Sequence, residues 1–312
     1  MSLAGCLDLT VVIATCRRAS ALEATLASIA RSTMPVGRFE VVVADNADDP
    51  ETRAVCEGYE DRLQVRYVLE TARGKNAALN RAIEVVTGRL VLFTDDDVEA
   101  APDWLSETWA GAERWPNHLL FGGRVLPGWP APCPRYLAGS HYLGVCFAVL
   151  DPALVEGPAS SFNPFGPNMA VRAEVFARGM RFNTAVGPSG GLYIMGSESE
   201  FTRRLAREGH EAVFLPGSAV RHQIRREQLS PRWLLSRGFR YGRKLAYERA
   251  PNADPRIARV PRWLYRDLAA RAARAGVRLL FPRAPRTFDE AMNFSVALGM
   301  FFQFRHQQPS EG

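Results

Sequence analysis

"RLVLFTDDDVEA", residues 89–100, is the stretch on which the reading of this chain turns. A short apolar run, residues 90–93, leads into three adjacent aspartates, Asp95, Asp96 and Asp97. An apolar run of this length reads as a buried strand. Carboxylates this close repel one another, and each loses hydration as it nears the interior. A divalent cation, a set of helix N-termini or a solvated turn would each compensate them. On an extended strand side chains alternate, so Asp95 and Asp97 would share one face and Asp96 would take the other. Two aspartates on one face suit a hard cation, Mg2+ or Mn2+, and leave positions for phosphate oxygens or water.

The strand pattern continues upstream. LTVVIA (9–14) and FEVVVAD (39–45) read as buried strands, and LQVRYVL (63–69) alternates with period two. Leu22, Leu26 and Ile29 recur at helical spacing behind Ser20, a candidate cap, and GKNAALNRAIEVV (74–86) gives another helix ending near Gly88. Strands separated by helices of this length predict right-handed crossovers and an α/β fold, a mostly parallel sheet flanked by helices. Ligands of such sheets bind outside the carboxyl ends of the strands. Polar residues collect at those ends: residues 15–17, Asp45 and Asn46, residues 73–75, and the three aspartates. ATCRRAS, after the first strand, lacks the glycines of a dinucleotide fingerprint, and no GxxxxGK[ST] occurs, which argues against dehydrogenase and P-loop readings.

With 312 residues, 47% hydrophobic and 23% charged, the chain can bury a substantial core as one large or two small domains. Its longest apolar candidate, residues 294–302, is about half of the roughly 18–20 residues a membrane span needs. Five cysteines without CxxC spacing predict a reducing, cytoplasmic setting rather than a disulfide framework or zinc site. LAGC (3–6) looks like a lipoprotein cleavage site without a charged and apolar leader before it, and is set aside. Charge is uneven. Residues 221–286 hold 18 basic and 4 acidic residues, against 21 basic and 29 acidic in the remainder. A basic segment on an acidic body is a statement about partners.

Five segments, VVIATCRR (11–18), VVVADNADD (41–49), RGKNAALNRAI (73–83), LFTDDDV (92–98) and GSESEFTRRLAREGH (196–210), occur in the order found in the family 2 glycosyltransferases, which the chain resembles over roughly residues 9–245. That resemblance implies a GT-A fold and an inverting, metal-dependent, hexosyltransferase-like enzyme that uses a nucleotide-diphosphate sugar. It implies nucleotide-sugar contacts for Thr15, Arg17, Asp45, Arg73, Lys75, Asn80, Asp95 and Asp96. Asp97 and His222 become the metal ligands, with Mg2+ or Mn2+ as cofactor, and Glu198 the catalytic base. Ser197 stands where the family often has a second acid. Trp104, Asn168 and Glu200 are assigned to the acceptor or sugar pocket. For Asn168 a turn-capping role competes, and Glu200 would equally serve the dipole of a helix's first turn. Residues 1–100 are then the nucleotide-sugar half, 101–222 the acceptor half, and 223–312 a helical basic segment.

In that basic segment, PRWLYRDLAARAARAGVRLLF (261–281) reads as an amphipathic helix. Arginines there alternate with Trp233, Phe239, Tyr241, Trp263, Tyr265 and Phe281. Two readings stay open: a solvated cap on the catalytic domain, or peripheral association with an anionic membrane surface on its inner face. No nucleic acid is expected, since nothing resembles an RNA-binding module. The expected role is transfer to a glycan or lipid-linked glycan in surface polysaccharide or glycolipid biosynthesis. A catalytically impaired nucleotide-sugar-binding protein is the alternative.

Overall fold

The computed structural model describes residues 7–151, 153–160, 162–191, 193–249, 255–279 and 287–306. The LAGC segment and Phe281 lie outside them. In chain order the elements are β1 (Leu9–Thr15), α1 (Ala19–Ile29), β2 (Phe39–Asp45), α2 (Pro50–Glu57), β3 (Val65–Leu69), α3 (Lys75–Ile83), β4 (Leu90–Asp95) and β5 (Val98–Ala100). There follow α4 (Trp104–Arg114), β6 (Leu120–Gly128), α5 (Leu143–Phe147), β7 (Gly157–Pro158), β8 (Met169–Arg172), α6 (Ala173–Ala177), α7 (Ser197–Arg207) and β9 (Ala212–Gln223). The last elements are α8 (Pro231–Glu248), β10 (Arg256–Ile257), β11 (Val260–Pro261), α9 (Arg262–Leu279) and α10 (Thr287–His306).

The chain divides into two compact units. The first comprises residues 1–128, 148–189 and 197–223; the second comprises 129–147, 190–196 and 224–312.

Unit 1 is a mixed α/β sheet in the order β3-β2-β1-β4-β8-β6-β9-β5, with β7 on β9. The pairs β3-β2, β2-β1 and β1-β4 are parallel, as the alternation of strands and helices predicts. Beyond β4 the direction changes: β8 runs antiparallel to both β4 and β6, and β6 pairs parallel with β9. Both faces are covered, so β1 and β2 are buried almost throughout. Gly88 is required by close approach, because a Cβ there would collide with the Leu9 and Thr10 backbone.

One aromatic cluster positions the site. Phe93 of β4 meets Phe176 and Phe182 edge to face, at centroid distances of 5.8 and 5.2 Å. Phe201 of α7 stacks on Phe182 at 4.6 Å and is fully buried. Such pairs add roughly 0.5–1.5 kcal/mol each beyond their burial. They hold the N-terminal turn of α7 in place relative to the end of β4.

Unit 2 is mainly helical. Trp263, Leu264, Tyr265 and Leu268 of α9 pack with Ala246 of α8 and with Ala297, Met300, Phe301 and Phe304 of α10. The aromatics that would face lipid in an interfacial helix are therefore turned into this unit's own core. Basic and aromatic residues interleave because they stack on one another: Arg249 lies over Trp263 and Arg256 over Phe304. Among the described residues no helix is long and apolar enough to cross a membrane, and the cysteines are free.

Candidate active site

The strand ends at Asp95, and Asp96 and Asp97 form a turn into β5. The alternation expected of an extended strand therefore stops at Asp95. Asp96 is buried rather than facing solvent: it accepts from Thr15 Oγ1 at 2.8 Å and from Arg18 Nη1 at 2.6 Å. The other arm of the same guanidinium, Arg18 Nη2, reaches Asp97 Oδ2 at 2.7 Å. Asp97 Oδ1 lies 3.2 Å from His222 Nε2, which β9 brings alongside β5 by pairing His222 with Val98. Lys75, at the start of α3, donates to Asp95 Oδ1 at 2.6 Å and to Glu198 Oε1 at 3.2 Å. Each aspartate is thus matched by a cationic or hydrogen-bonding partner, which resolves the repulsion that the sequence poses.

Charge states follow from these contacts. Burial pushes the Asp96 carboxyl up to about 6, against the opposing pull of Arg18 and Thr15. Burial also works against ionised Asp97, but contact with His222 and Arg18 holds its carboxyl well below the usual range. For Lys75, burial alone would favour the neutral amine. Asp95 and Glu198 more than reverse this and keep the ammonium charged.

Glu198 sits in the first turn of α7, over Gly166. A Cβ on Gly166 would meet the Glu198 carboxylate, so a larger residue there would make that side chain shift. The cluster therefore joins Thr15, Lys75, Asp95, Asp96, Asp97, Glu198 and His222 from five separate segments. Arg17 and Arg73, neighbours of these residues in sequence, are exposed.

Other expected residues have different surroundings. Asp45 is fully buried, and its carboxylate accepts from Ala47 N, Asp49 N and Tyr67 Oη, holding the turn from β2 into α2. The Asn80 amide is engaged with Phe182, donating to its carbonyl and accepting from its N–H. Trp104 and Asn168 belong to the core instead of a sugar pocket. Asn168 Oδ1 accepts from Trp104 Nε1 and Ser218 Oγ, and its Nδ2 donates to the Arg124 and Ser218 carbonyls. All four hydrogen-bonding positions of the amide are used, so none remains for a hydroxyl. Glu200 pairs with Arg204 one turn along α7, at 2.9 Å. Ser20 lies inside α1, whose N-cap position is held by Arg18.

Sequence reasoning chose Arg17 and missed Arg18. Arg17 takes a left-handed backbone (φ 53°), which turns its neighbour toward the aspartates. The pair of adjacent arginines was visible, but which one points inward depends on that dihedral.

The fit of a cation can be judged from the donors. No group of three or more His, Cys, Asp or Glu side chains able to hold a metal occurs among the described residues. Asp97 Oδ1 and His222 Nε2 do converge, and 3.2 Å is close to the roughly 3 Å between neighbouring ligands of an octahedral ion bound at about 2.1 Å. The residues fit a hard cation that takes two protein ligands and draws the rest from phosphate and water.

Comparison with known proteins defines the class first. A mannosyltransferase from Pyrobaculum calidifontis, solved with GDP-Man and Mn2+, superposes with a TM-score of 0.63 at 21% identity, covering 94% of this chain and 86% of that one. The fold is GT-A. Residues 10–131 match the model described as glycosyl transferase family 2. A glucosyl-dolichyl phosphate glucuronosyltransferase of Haloferax volcanii is 25% identical over 216 residues, 65% of this chain and 68% of that protein. A succinoglycan biosynthesis protein of Rhizobium meliloti is 26% identical over 240 residues, 76% of this chain and 73% of its own. Over residues 10–131 the chain matches the family 2 glycosyltransferases.

Proposed function

We propose that the protein transfers a sugar, with inversion, from a nucleotide-diphosphate sugar to a hydroxyl of a glycan or lipid-linked glycan in surface polysaccharide or glycolipid biosynthesis. The observation that carries this reading is the double contact of Lys75, whose ammonium reaches Asp95 and, 123 positions along the sequence from itself, Glu198. A strand-end carboxylate, a cation and an acid on a second element are thereby gathered where an α/β sheet binds its ligand. The relatives named above, one acting on a dolichyl phosphate and one in succinoglycan synthesis, support the acceptor class.

In the proposed reaction the acceptor oxygen bonds to the anomeric carbon while the bond from that carbon to the diphosphate oxygen breaks. The electron pair leaves with the nucleotide diphosphate. Glu198 takes the acceptor proton, a contribution of typically 10²–10⁴ in rate. Lys75, kept charged, can exchange its carboxylate partners for the diphosphate, and exposed Arg73 adds positive charge. Thr15 and Arg18 orient Asp96 and Asp97, while Asp45 shapes the loop beside the nucleotide. Asp97 and His222 would hold Mg2+ or Mn2+, which when bound neutralises charge on the leaving diphosphate. The Mn2+ in the mannosyltransferase structure supports this cofactor class. We place the reaction in the cytoplasm, and the inward packing of the α9 aromatics speaks against a lipid-facing role for that helix.

Transfer assays with a panel of nucleotide sugars, read by NMR for the anomeric configuration of product, test the proposal. An inverted product, lost in Glu198→Gln, is expected. A retained configuration, or full activity of Glu198→Gln, would reject the mechanism.

A further inference from the structure

Unit 2 contains a group of arginines that the proposed chemistry leaves unused. Arg237, Arg240 and Arg243 recur every three residues on α8, within about a third of the helix circumference. All three converge on Tyr193. Arg237 Nη1 donates to the Tyr193 hydroxyl at 3.1 Å, Arg240 lies 4.9 Å over its ring, and Arg243 Nη1 faces its carbonyl at 3.5 Å.

These side chains are half-buried, yet the partners of the first two are neutral. Arg237 also donates to the Val145 carbonyl, and Arg240 to Ser236 Oγ. Among the described residues neither is paired with a carboxylate. The Nε atoms of both are buried without a hydrogen-bond partner. Of the half-buried arginines in unit 1, Arg18 has two aspartates and Arg204 has Glu200, while Arg172 and Arg181 rest singly on backbone carbonyls; what sets Arg237 and Arg240 apart is that they are gathered around one side chain. On the same face of α8, Lys244 has Glu248 at 3.7 Å. Burial and the neighbouring Arg240 charge also depress Arg243, so the cations strain against one another. Arg237 and Arg240, half-buried side by side with neutral partners, carry a cost of desolvation and mutual repulsion that an anion would relieve.

We propose that Arg237, Arg240 and Arg243, arranged around Tyr193, form a binding site for a phosphate or diphosphate group. Guanidinium forks match phosphate oxygens two at a time, and several of them suit a doubly charged group better than a lone carboxylate. The group can come from a lipid-linked phosphate ester or from a soluble phosphate. The site lies within unit 2 alone, so it stands or falls separately from the donor-site reading.

Calorimetric titration of the full chain with geranyl diphosphate and with inorganic diphosphate, in EDTA, reads this site without metal-dependent donor binding. Arg240→Gln is the informative variant, because among the described residues the Arg240 side chain makes a single hydrogen bond, to Ser236. We expect binding to weaken about tenfold or more in Arg240→Gln and by less in Arg240→Lys, which keeps the charge but not the fork, with the melting temperature of the unliganded protein no lower than wild type in either. Tighter binding of geranyl diphosphate than of inorganic diphosphate identifies a lipid-linked source, and equal binding a soluble one; either upholds the site. Absence of binding by both probes, or Arg240→Gln binding like wild type, would overturn it.

Discussion

At the end of β4, three carboxylates are matched by Arg18, Lys75 and His222. One strand over, the Asn168 amide beside β8 fills all four of its hydrogen-bonding positions with Trp104, Ser218 and the Arg124 carbonyl. Both clusters are buried, polar and drawn from distant segments. The neutral knot is closed, and any new partner must break a bond already made. The charged cluster is compensated by groups that can exchange partners, since an ammonium serves a diphosphate as readily as a carboxylate. A saturated neutral network fixes the fold, whereas a balanced set of charges can be rebalanced by a ligand.

Four substitutions would break or sharpen that contrast. The largest effect belongs to Glu198→Gln, expected to lower turnover by about 10²–10⁴ while leaving donor affinity within a few-fold, measured by steady-state kinetics and titration. Next is Asn168→Ala, which orphans the Trp104 N–H and two carbonyls. It should cost about 3 kcal/mol in urea unfolding and leave the donor affinity of the folded protein unchanged.

A smaller, pH-dependent effect belongs to Asp96. Its carboxyl is raised to about 6, above its ordinary value near 3.8, so between those values the folded state binds more protons than the unfolded. Its contribution to stability is present at low pH and is lost as pH rises through that window. In Asp96→Asn the stability difference between pH 4.5 and pH 6.5 should shrink by about 1–2 kcal/mol, read from melting curves at the two pH values. Smallest is Glu200→Gln, which removes an ion pair within α7. Less than about 0.5 kcal/mol of stability and no more than a twofold change in turnover are expected; a large loss of activity would return Glu200 to the site.

The same contrast explains what could be read from sequence. The parallel half of the sheet was legible because strands buried on both faces are continuous apolar runs, as in residues 9–14 and 39–45. Asp95 and Asp97 stand out in the sequence as charge at the end of an apolar run, whereas Glu198 is singled out there only by the resemblance to the family. The antiparallel turn of the sheet at β8 was not, since the pairing of Met169 with Phe93 depends on tertiary register. Arg18 was hidden behind the dihedral of Arg17. Trp104 and Asn168 carry groups that a sugar pocket and a core knot use equally, and only their partners tell the two apart. The arginines of α8 read as a charged helix face; that Arg237, Arg240 and Arg243 share Tyr193 is visible only in three dimensions.

The central claim is that Asp97 and its neighbours form a metal-assisted site for a nucleotide diphosphate. Calorimetric titration of UDP, GDP and dTDP, with Mn2+ and with EDTA, against wild type and Asp97→Ala tests it most directly. The account predicts that one nucleotide binds in Mn2+, and that EDTA or the substitution abolishes binding. Binding indifferent to both, or no binding of any nucleotide, would contradict it.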